Sequence, residues 1–228
     1  MTYVMANLHG DYDKFSAMLQ KIKFKDSDVL YILGDIVDYG AGGMDIISDI
    51  SVRYNVYSIV GEHDFTALRM LSQFSRILEG GGVPSPEFIS DMTEWSEEGG
   101  RVTLEAFREL DEDMREGAID YLSDMALYEE VSVGGRDYLL VHAGIKNFTP
   151  DIDLDTLDPS DFFDEALDLS KKYYDDKTII VGHNPTTEEN GGDGKIFYGN
   201  GSIAIDCGVA FGGALGCLCL DNGREYYV

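Results

Sequence analysis

Apolar positions along the chain fall in short blocks, each closed by glycine or a charged residue. Residues 4–6 form one such block, a short buried strand ending at the His9-Gly10 turn. Asp11 stands where a cap is needed for a helix over residues 12–22, whose Phe15, Met18, Leu19 and Ile22 share one face. Residues 29–33 are continuously apolar and run straight into Gly34-Asp35, the pattern of a strand buried on both faces. A helix over about residues 44–54 and a strand over 56–60, closed by Gly61, complete a strand–helix–strand–helix–strand series. That alternation predicts a parallel sheet covered by helices.

Residues 64–125 read as helical, with a break at Gly80-Gly81-Gly82 and Pro84. Beyond them, residues 127–133 and 138–141 flank Gly134-Gly135 as a hairpin. A helix over about residues 161–174 precedes a strand at 178–181, and the tail alternates short strands and glycines to Val228. No repeat, linker or low-complexity tract interrupts the 228 residues, so one α/β domain over 1–228 is expected.

Charge changes this picture most. With 43 acidic against 17 basic residues the net charge is −26, which excludes nucleic acid as a partner, because backbone binding needs a basic footprint. Runs such as Glu109-Leu-Asp-Glu-Asp113 read as solvated faces, leaving a few carboxylates for metal ligation. The first residues lack a basic segment followed by a long apolar one, and no stretch approaches the roughly 18 apolar residues of a membrane span. Cys207, Cys217 and Cys219 are odd in number and lie in apolar surroundings; they read as buried thiols of a cytoplasmic protein. Nothing in the sequence indicates oligomeric state.

The candidate chemistry lies at the block ends. All four histidines follow a predicted strand or its closing turn: Asn7-Leu-His9-Gly-Asp11, Gly61-Glu62-His63-Asp64, Val141-His142-Ala-Gly144 and Val181-Gly182-His183-Asn-Pro185. Gly34-Asp35-Ile-Val-Asp38 joins them in the same kind of place. Strand carboxyl ends line the ligand crevice of an open α/β sheet, so these side chains are expected to converge. Imidazole with carboxylate and amide oxygen suits zinc, iron or manganese better than calcium or magnesium. So many ligands suggest two ions sharing a carboxylate, an arrangement that at about 3.5–4 Å separation promotes in-line displacement at phosphorus.

These five segments, with Trp95 to Phe107 and the closing run Ile205-Asp206-Cys-Gly208-Val-Ala-Phe211-Gly212-Gly213, resemble the calcineurin-like metallophosphoesterases. Within them the series is most similar to the bacterial phosphoprotein phosphatases, from about residue 3 to the C-terminus and in the right order. The resemblance implies a four-layer α/β/β/α sandwich and two divalent ions, manganese before iron or zinc. His9 and Asp35 would bind the first ion with Asn7, where the family has aspartate. Asp35 would bridge to the second, completed by His142, His183 and by Glu62, where the family has asparagine. His63 would be the general acid, oriented by Asp38. The implied activity is hydrolysis of phosphomonoesters by a metal-bridging hydroxide, in the manner of a serine/threonine protein phosphatase, on a phosphorylated protein or small phosphoester.

Three departures bear on this. Asn7 removes a charge and Glu62 adds one, so charge is moved between the two ion positions instead of lost, with the first ion held more weakly. Tyr39 stands where the family has a phosphate-gripping arginine, and no arginine lies between His142 and His183. Lysine does not reproduce the arginine fork, so Tyr39 is the candidate substrate contact, with Arg69 and Arg101 as possible substitutes. A diadenosine polyphosphate hydrolase, and a metal-poor pseudophosphatase acting as a binding protein, are the alternative readings.

Overall fold

The computed structural model describes residues 1–80, 82–163, 165–189 and 192–228. Gly81, in the expected glycine break, lies outside the described residues. The amino-terminal half follows the predicted alternation: β1 (Thr2–Met5), α1 (Tyr12–Ile22), β2 (Val29–Leu33), α2 (Gly43–Ser51) and β3 (Val56–Ile59). Asp11 caps α1 by accepting the Lys14 N–H, and Phe15, Met18 and Ile22 bury its apolar stripe. Four helices follow: α3 (Glu62–Leu78), α4 (Pro86–Trp95), α5 (Arg101–Glu109) and α6 (Glu112–Ser123), with a π-turn at Ser96–Gly100 joining α4 to α5. Strands β4 (Tyr128–Val133) and β5 (Arg136–Val141) form the expected hairpin, and β6 (Lys177–Val181), β7 (Phe197–Tyr198), β8 (Ser202–Ala204), β9 (Gly216–Cys219) and β10 (Glu225–Tyr227) complete the chain.

The strands make two five-stranded sheets, in the orders β10-β9-β1-β2-β3 and β4-β5-β6-β8-β7. β1, β2 and β3 are parallel, and β9 is added antiparallel to β1. The carboxyl-terminal half goes beyond the antiparallel hairpin predicted from the sequence. It is mixed: β5–β6 and β6–β8 run parallel, with antiparallel pairs only at the two edges.

Period-two alternation assigns the faces. Tyr3 and Met5, with Leu30, Ile32, Cys217 and Cys219, face α1 to α6, whereas Val4, Ala6, Leu33 and Leu218 face the second sheet. Tyr138, Leu140, Ile180 and Ile203 meet them from the other side. Leu139, Val141, Ile179 and Val181 point outward to a further layer containing Phe148, Leu154, Phe162 and Phe163. The sandwich therefore has its four layers, the three thiols are buried and unpaired, and among the described residues no helix is long and apolar enough to cross a membrane.

The fourth layer corrects one expectation. The described residues of 161–174 do not form an α-helix: after a 3₁₀ turn at Pro159–Phe162, residues 165–174 are irregular, and Asp164 lies outside the described residues. Their backbone is used elsewhere: Gly144 bridges Glu165, Asn200 N–H donates to the Leu169 carbonyl, and Asp168 accepts from the N–H and hydroxyl of Ser170. Local side-chain bonds of this kind compete with the helical ladder.

Candidate active site

The carboxyl ends of β1, β2, β3, β5 and β6 open on one side and bring His9, Asp35, His63, His142 and His183 together. The loops that carry them are unusually left-handed: Asn7, His9, Asp35, Asp38, Tyr39 and His183 all have φ between 43° and 71°. Non-glycine residues adopt this region at a cost, and such strain gathers at functional sites. Here the cost is offset by backbone pairing across the loops, with Asn7, His9 and Gly10 N–H donating to the carbonyls of Gly34, Asp35 and Ile36 at 2.8–3.0 Å. Gly34 (φ 74°) is indispensable to this arrangement, because a Cβ there would lie 2.5 Å from the Gly61 nitrogen and 2.7 Å from His142 Nδ1.

Asp35 is the centre. Its Oδ2 lies 3.7 Å from His9 Nε2 and 3.5 Å from His142 Nε2, while Oδ1 accepts the His63 N–H at 3.1 Å. Burial pushes its carboxyl up, and the imidazoles of His142, His9 and His63 outweigh that and hold it well below the usual range. Two sets of ligand atoms lie within 4.8 Å of one another: His9, Asp35 and His63, and Asp35, His142 and His183. The second set fits a divalent cation well. His142 Nδ1 donates to the Leu33 carbonyl at 2.8 Å, which fixes the tautomer and leaves Nε2 facing His183 Nδ1 at 3.2 Å. Burial lowers the pKa of His183, and the neighbouring His142 lowers it further, which keeps a lone pair available. His9 is lowered by burial in the same way.

His63 differs. Its Nδ1 is 2.8 Å from Asp38 Oδ2, an oxygen that also accepts from Trp95 Nε1 at 2.9 Å. Thr103 Oγ1 donates to Asp38 Oδ1 at 2.6 Å. An acceptor-only carboxylate requires the proton on His63 Nδ1. Burial alone would lower the His63 pKa; the Asp38 hydrogen bond and the charges of Asp35, Asp38 and Asp64 reverse this and raise it to about 9. A protonated imidazole is a poor ligand and a ready proton donor, so His63 is separated chemically from the other three histidines.

Two expected ligands are placed otherwise. The Asn7 amide oxygen accepts the His183 N–H at 2.9 Å, and its Nδ2 donates to Asp35 Oδ2 at 3.1 Å. Flipping the amide would set oxygen against carboxylate oxygen, so the orientation is dictated by the network. Asn7 presents a donor to the cluster and ties two ligands together. Glu62 is exposed at the first position of α3, outside both ligand sets; a side chain at the start of that helix turns toward solvent while His63 and Asp64 turn inward. Glu62 nevertheless acts on the cluster through its charge, which raises the His183 pKa against burial.

On the substrate side, Tyr39 stands at the rim, its ring 5.1 Å from that of His9 and 5.3 Å from that of His63. A cleft of about 430 Å³ runs from His9 and Tyr39 past Asp11, Asp13 and Asp45. Arg69 is turned to Asp91, and Arg101 lies in a second hollow beside Tyr39, near Glu105. Neither reaches the histidines as a phosphate clamp.

Several important residues carried no assigned role in the sequence. Asp64, fully buried, accepts the N–H groups of Ile36, Val37 and Gly61 and so ties the ends of β2 and β3 together. Its position three residues after Gly61 at a helix start was the available signal. Trp95 and Thr103 anchor Asp38 from more than 50 residues away, which no local pattern exposes. Asp206, its carboxyl pushed up to about 7 by burial, accepts the Gly208 N–H.

The fold and this site define a metallophosphoesterase. Residues 2–209 match the calcineurin-like phosphoesterase family, and the chain belongs to it, a family of metal-dependent hydrolases of phosphate esters. A stretch of 77 residues is 35% identical to the symmetrical bis(5'-nucleosyl)-tetraphosphatase of Salmonella typhimurium, covering 33% of this chain and only 27% of that relative's length. Among solved structures, a putative diadenosine tetraphosphatase superposes with a TM-score of 0.66 at 17% identity, covering all of this chain and 92% of that one. A Saccharomyces cerevisiae protein serine/threonine phosphatase superposes at 0.55 and 12% identity, with 100% and 78% covered.

Proposed function

We propose that the protein is a metal-dependent phosphomonoesterase acting on phosphorylated proteins or small phosphate esters, of the serine/threonine protein phosphatase type. The observation that carries this is the His63–Asp38 pair at 2.8 Å beside a carboxylate shared by two groups of ligand atoms. Asp35, His142 and His183 would hold the tighter ion; Asp35 and His9 would hold a second more weakly, with manganese first among the candidate metals. Divalent ions bound there would polarise the phosphoryl group and make water nucleophilic at neutral pH.

The chain's own residues supply the rest. Asp38, held by Trp95 and Thr103, keeps the His63 ring in one orientation and keeps its proton in place. That proton goes to the ester oxygen as the P–O bond breaks, so no alkoxide is released. Asn7 fixes Asp35 relative to the His183 backbone and so holds the two ligand sets in register. The tight left-handed loops keep bulk away from the phosphoryl position. Three unpaired buried thiols accord with a cytoplasmic setting.

The match to a symmetrical tetraphosphatase favours one other reading, hydrolysis of diadenosine polyphosphates. Hydrolysis of an alkyl phosphate monoester with added manganese, comparing wild type with His63→Asn, tests the first proposal. No turnover by wild type would leave a binding protein. Comparing a phosphopeptide with diadenosine tetraphosphate then separates the two enzymes.

A further inference from the structure

The rim of the site holds two aromatic side chains that the fold does not need. Tyr39 is 44% exposed and Phe211 is 75% exposed, and neither belongs to any of the three hydrophobic clusters among the described residues. Their rings lie 6.4 Å apart, tilted by 55°, and form an open wedge beside His63.

Both rings are presented by stiff backbone. Tyr39 sits at φ 62°, its N–H donating to the Gly99 carbonyl at 3.1 Å. Gly99 (φ 109°) belongs to the π-turn, and a Cβ there would stand 3.2 Å from the Tyr39 ring. Phe211 ends the 3₁₀ turn Val209–Phe211 between two left-handed glycines, with Phe211, Gly212 and Gly213 N–H all bonded back into that turn. A scattered exposed phenylalanine needs no explanation. Two exposed rings held on rigid turns next to a proton donor are a preorganised surface.

The charge of the cleft decides what that surface is for. Among the described residues no lysine or arginine lines it, and Asp11, Asp13 and Asp45 do, while Arg101 in the hollow on the other side of Tyr39 is near Glu105. Protein side chains there cannot grip a polyphosphate, so a substrate must gain affinity from its uncharged part. We infer that the Tyr39–Phe211 wedge receives the aromatic ring of an aryl phosphate monoester, phosphotyrosine before phosphoserine. The inference rests on the phosphomonoesterase reading and shifts its preferred substrate from the alkyl esters of phosphoserine and phosphothreonine to aryl esters. The reaction is monoester hydrolysis, in which ester and water give phenol and inorganic phosphate, with the phenol oxygen taking its proton from His63.

The test uses the full chain with manganese and two peptides of one sequence, carrying phosphotyrosine or phosphoserine. Aryl esters are intrinsically more reactive, so the readout is the change in the kcat/KM ratio between peptides on mutation. Phe211→Ala should lower the phosphotyrosine-to-phosphoserine ratio roughly 2- to 10-fold, mostly through KM, and Phe211→Trp should preserve it. Binding of benzylphosphonate against methylphosphonate gives a readout independent of turnover, and Phe211→Ala should erase the benzyl preference. If neither peptide is hydrolysed but the benzyl preference is present and lost in Phe211→Ala, the phosphatase reading fails and the wedge stands. Turnover with equal losses on both peptides, or with no change in the ratio, overturns the wedge alone. A loss confined to diadenosine tetraphosphate overturns it in favour of a nucleobase subsite.

Discussion

Trp95 donates its indole N–H to Asp38 Oδ2 at 2.9 Å, the same oxygen that accepts from His63 Nδ1 at 2.8 Å. The only tryptophan of the chain is thus spent on the residue behind the proton donor. This predicts a loss that depends on the leaving group. Asp38→Asn should lower kcat about 10²- to 10⁴-fold on an alkyl phosphate, whose alkoxide must be protonated as it leaves. On p-nitrophenyl phosphate, whose leaving group needs little help, the loss should be much smaller. Trp95→Phe removes one of the supports and should cost roughly 3- to 10-fold on the alkyl ester. Equal losses on both esters would remove His63 from the role of general acid.

The same pair predicts a pH window of stability in the metal-free protein. The ordinary histidine pKa is about 6.5 in the unfolded chain, and in the folded protein His63 is raised to about 9. The folded state therefore binds the proton more tightly, and the stabilisation is fully present below pH 6.5. It declines as pH rises and is gone above 9, a change of about 3 kcal/mol. Urea denaturation of chelator-treated protein at pH 6, 8 and 10 measures it. In Asp38→Asn this component should shrink, because only the charges of Asp35 and Asp64 remain to raise His63, and an unchanged pH profile in that variant would refute the assignment.

The early part of the fold is legible because its residues solve their burial problem locally. Residues 29–33 are apolar on both faces, and the Asp11 cap with the Phe15–Met18–Ile22 stripe specifies α1 without distant help. Every histidine was locatable because each follows a strand end. The region after β5 is not legible in this way: its apolar residues Phe162, Phe163, Leu167 and Leu169 suggest a helix, yet the Asp161 carbonyl accepts the Lys146 N–H, Glu165 bridges Gly144 and the Leu169 carbonyl accepts the Asn200 N–H. Roles set by long-range contact were invisible for the same reason. Nothing near Asn7 says that its amide oxygen is taken by a backbone 176 residues away.

Asp64 should prove a structural keystone. Its carboxylate satisfies three backbone donors in a fully buried place. Asp64→Ala leaves those donors unpaired, at a cost of about 3 kcal/mol or more. For a chain of this length that lowers Tm by roughly 6–12 °C. Asp64→Asn retains one acceptor and should recover part of the loss. Calorimetry of the three proteins checks this, and a Tm within 2 °C of wild type in Asp64→Ala, roughly the shift of 1 kcal/mol or less, contradicts it.

The ligand geometry also predicts unequal metal sites. Asp35, His142 and His183 form a complete three-residue set, whereas on the other side His63 is occupied by Asp38 and Asn7 presents a donor to Asp35, leaving His9 as the other free ligand. Wild type passed through a desalting column should therefore keep about one manganese ion per chain, taking a second only with excess metal. His142→Ala should lose the retained ion, and His9→Ala should keep it. Asn7→Asp places a second carboxylate about 3 Å from Asp35 in a buried site. Without metal that repulsion should destabilise the protein by about 1–3 kcal/mol; with manganese the order should reverse, since two carboxylates now face the weaker ion. The rise in Tm between chelator and 1 mM manganese should accordingly be larger for Asn7→Asp than for wild type. Metal analysis showing equal effects of His9→Ala and His142→Ala, or an Asn7→Asp variant that binds no more metal, would count against the asymmetry.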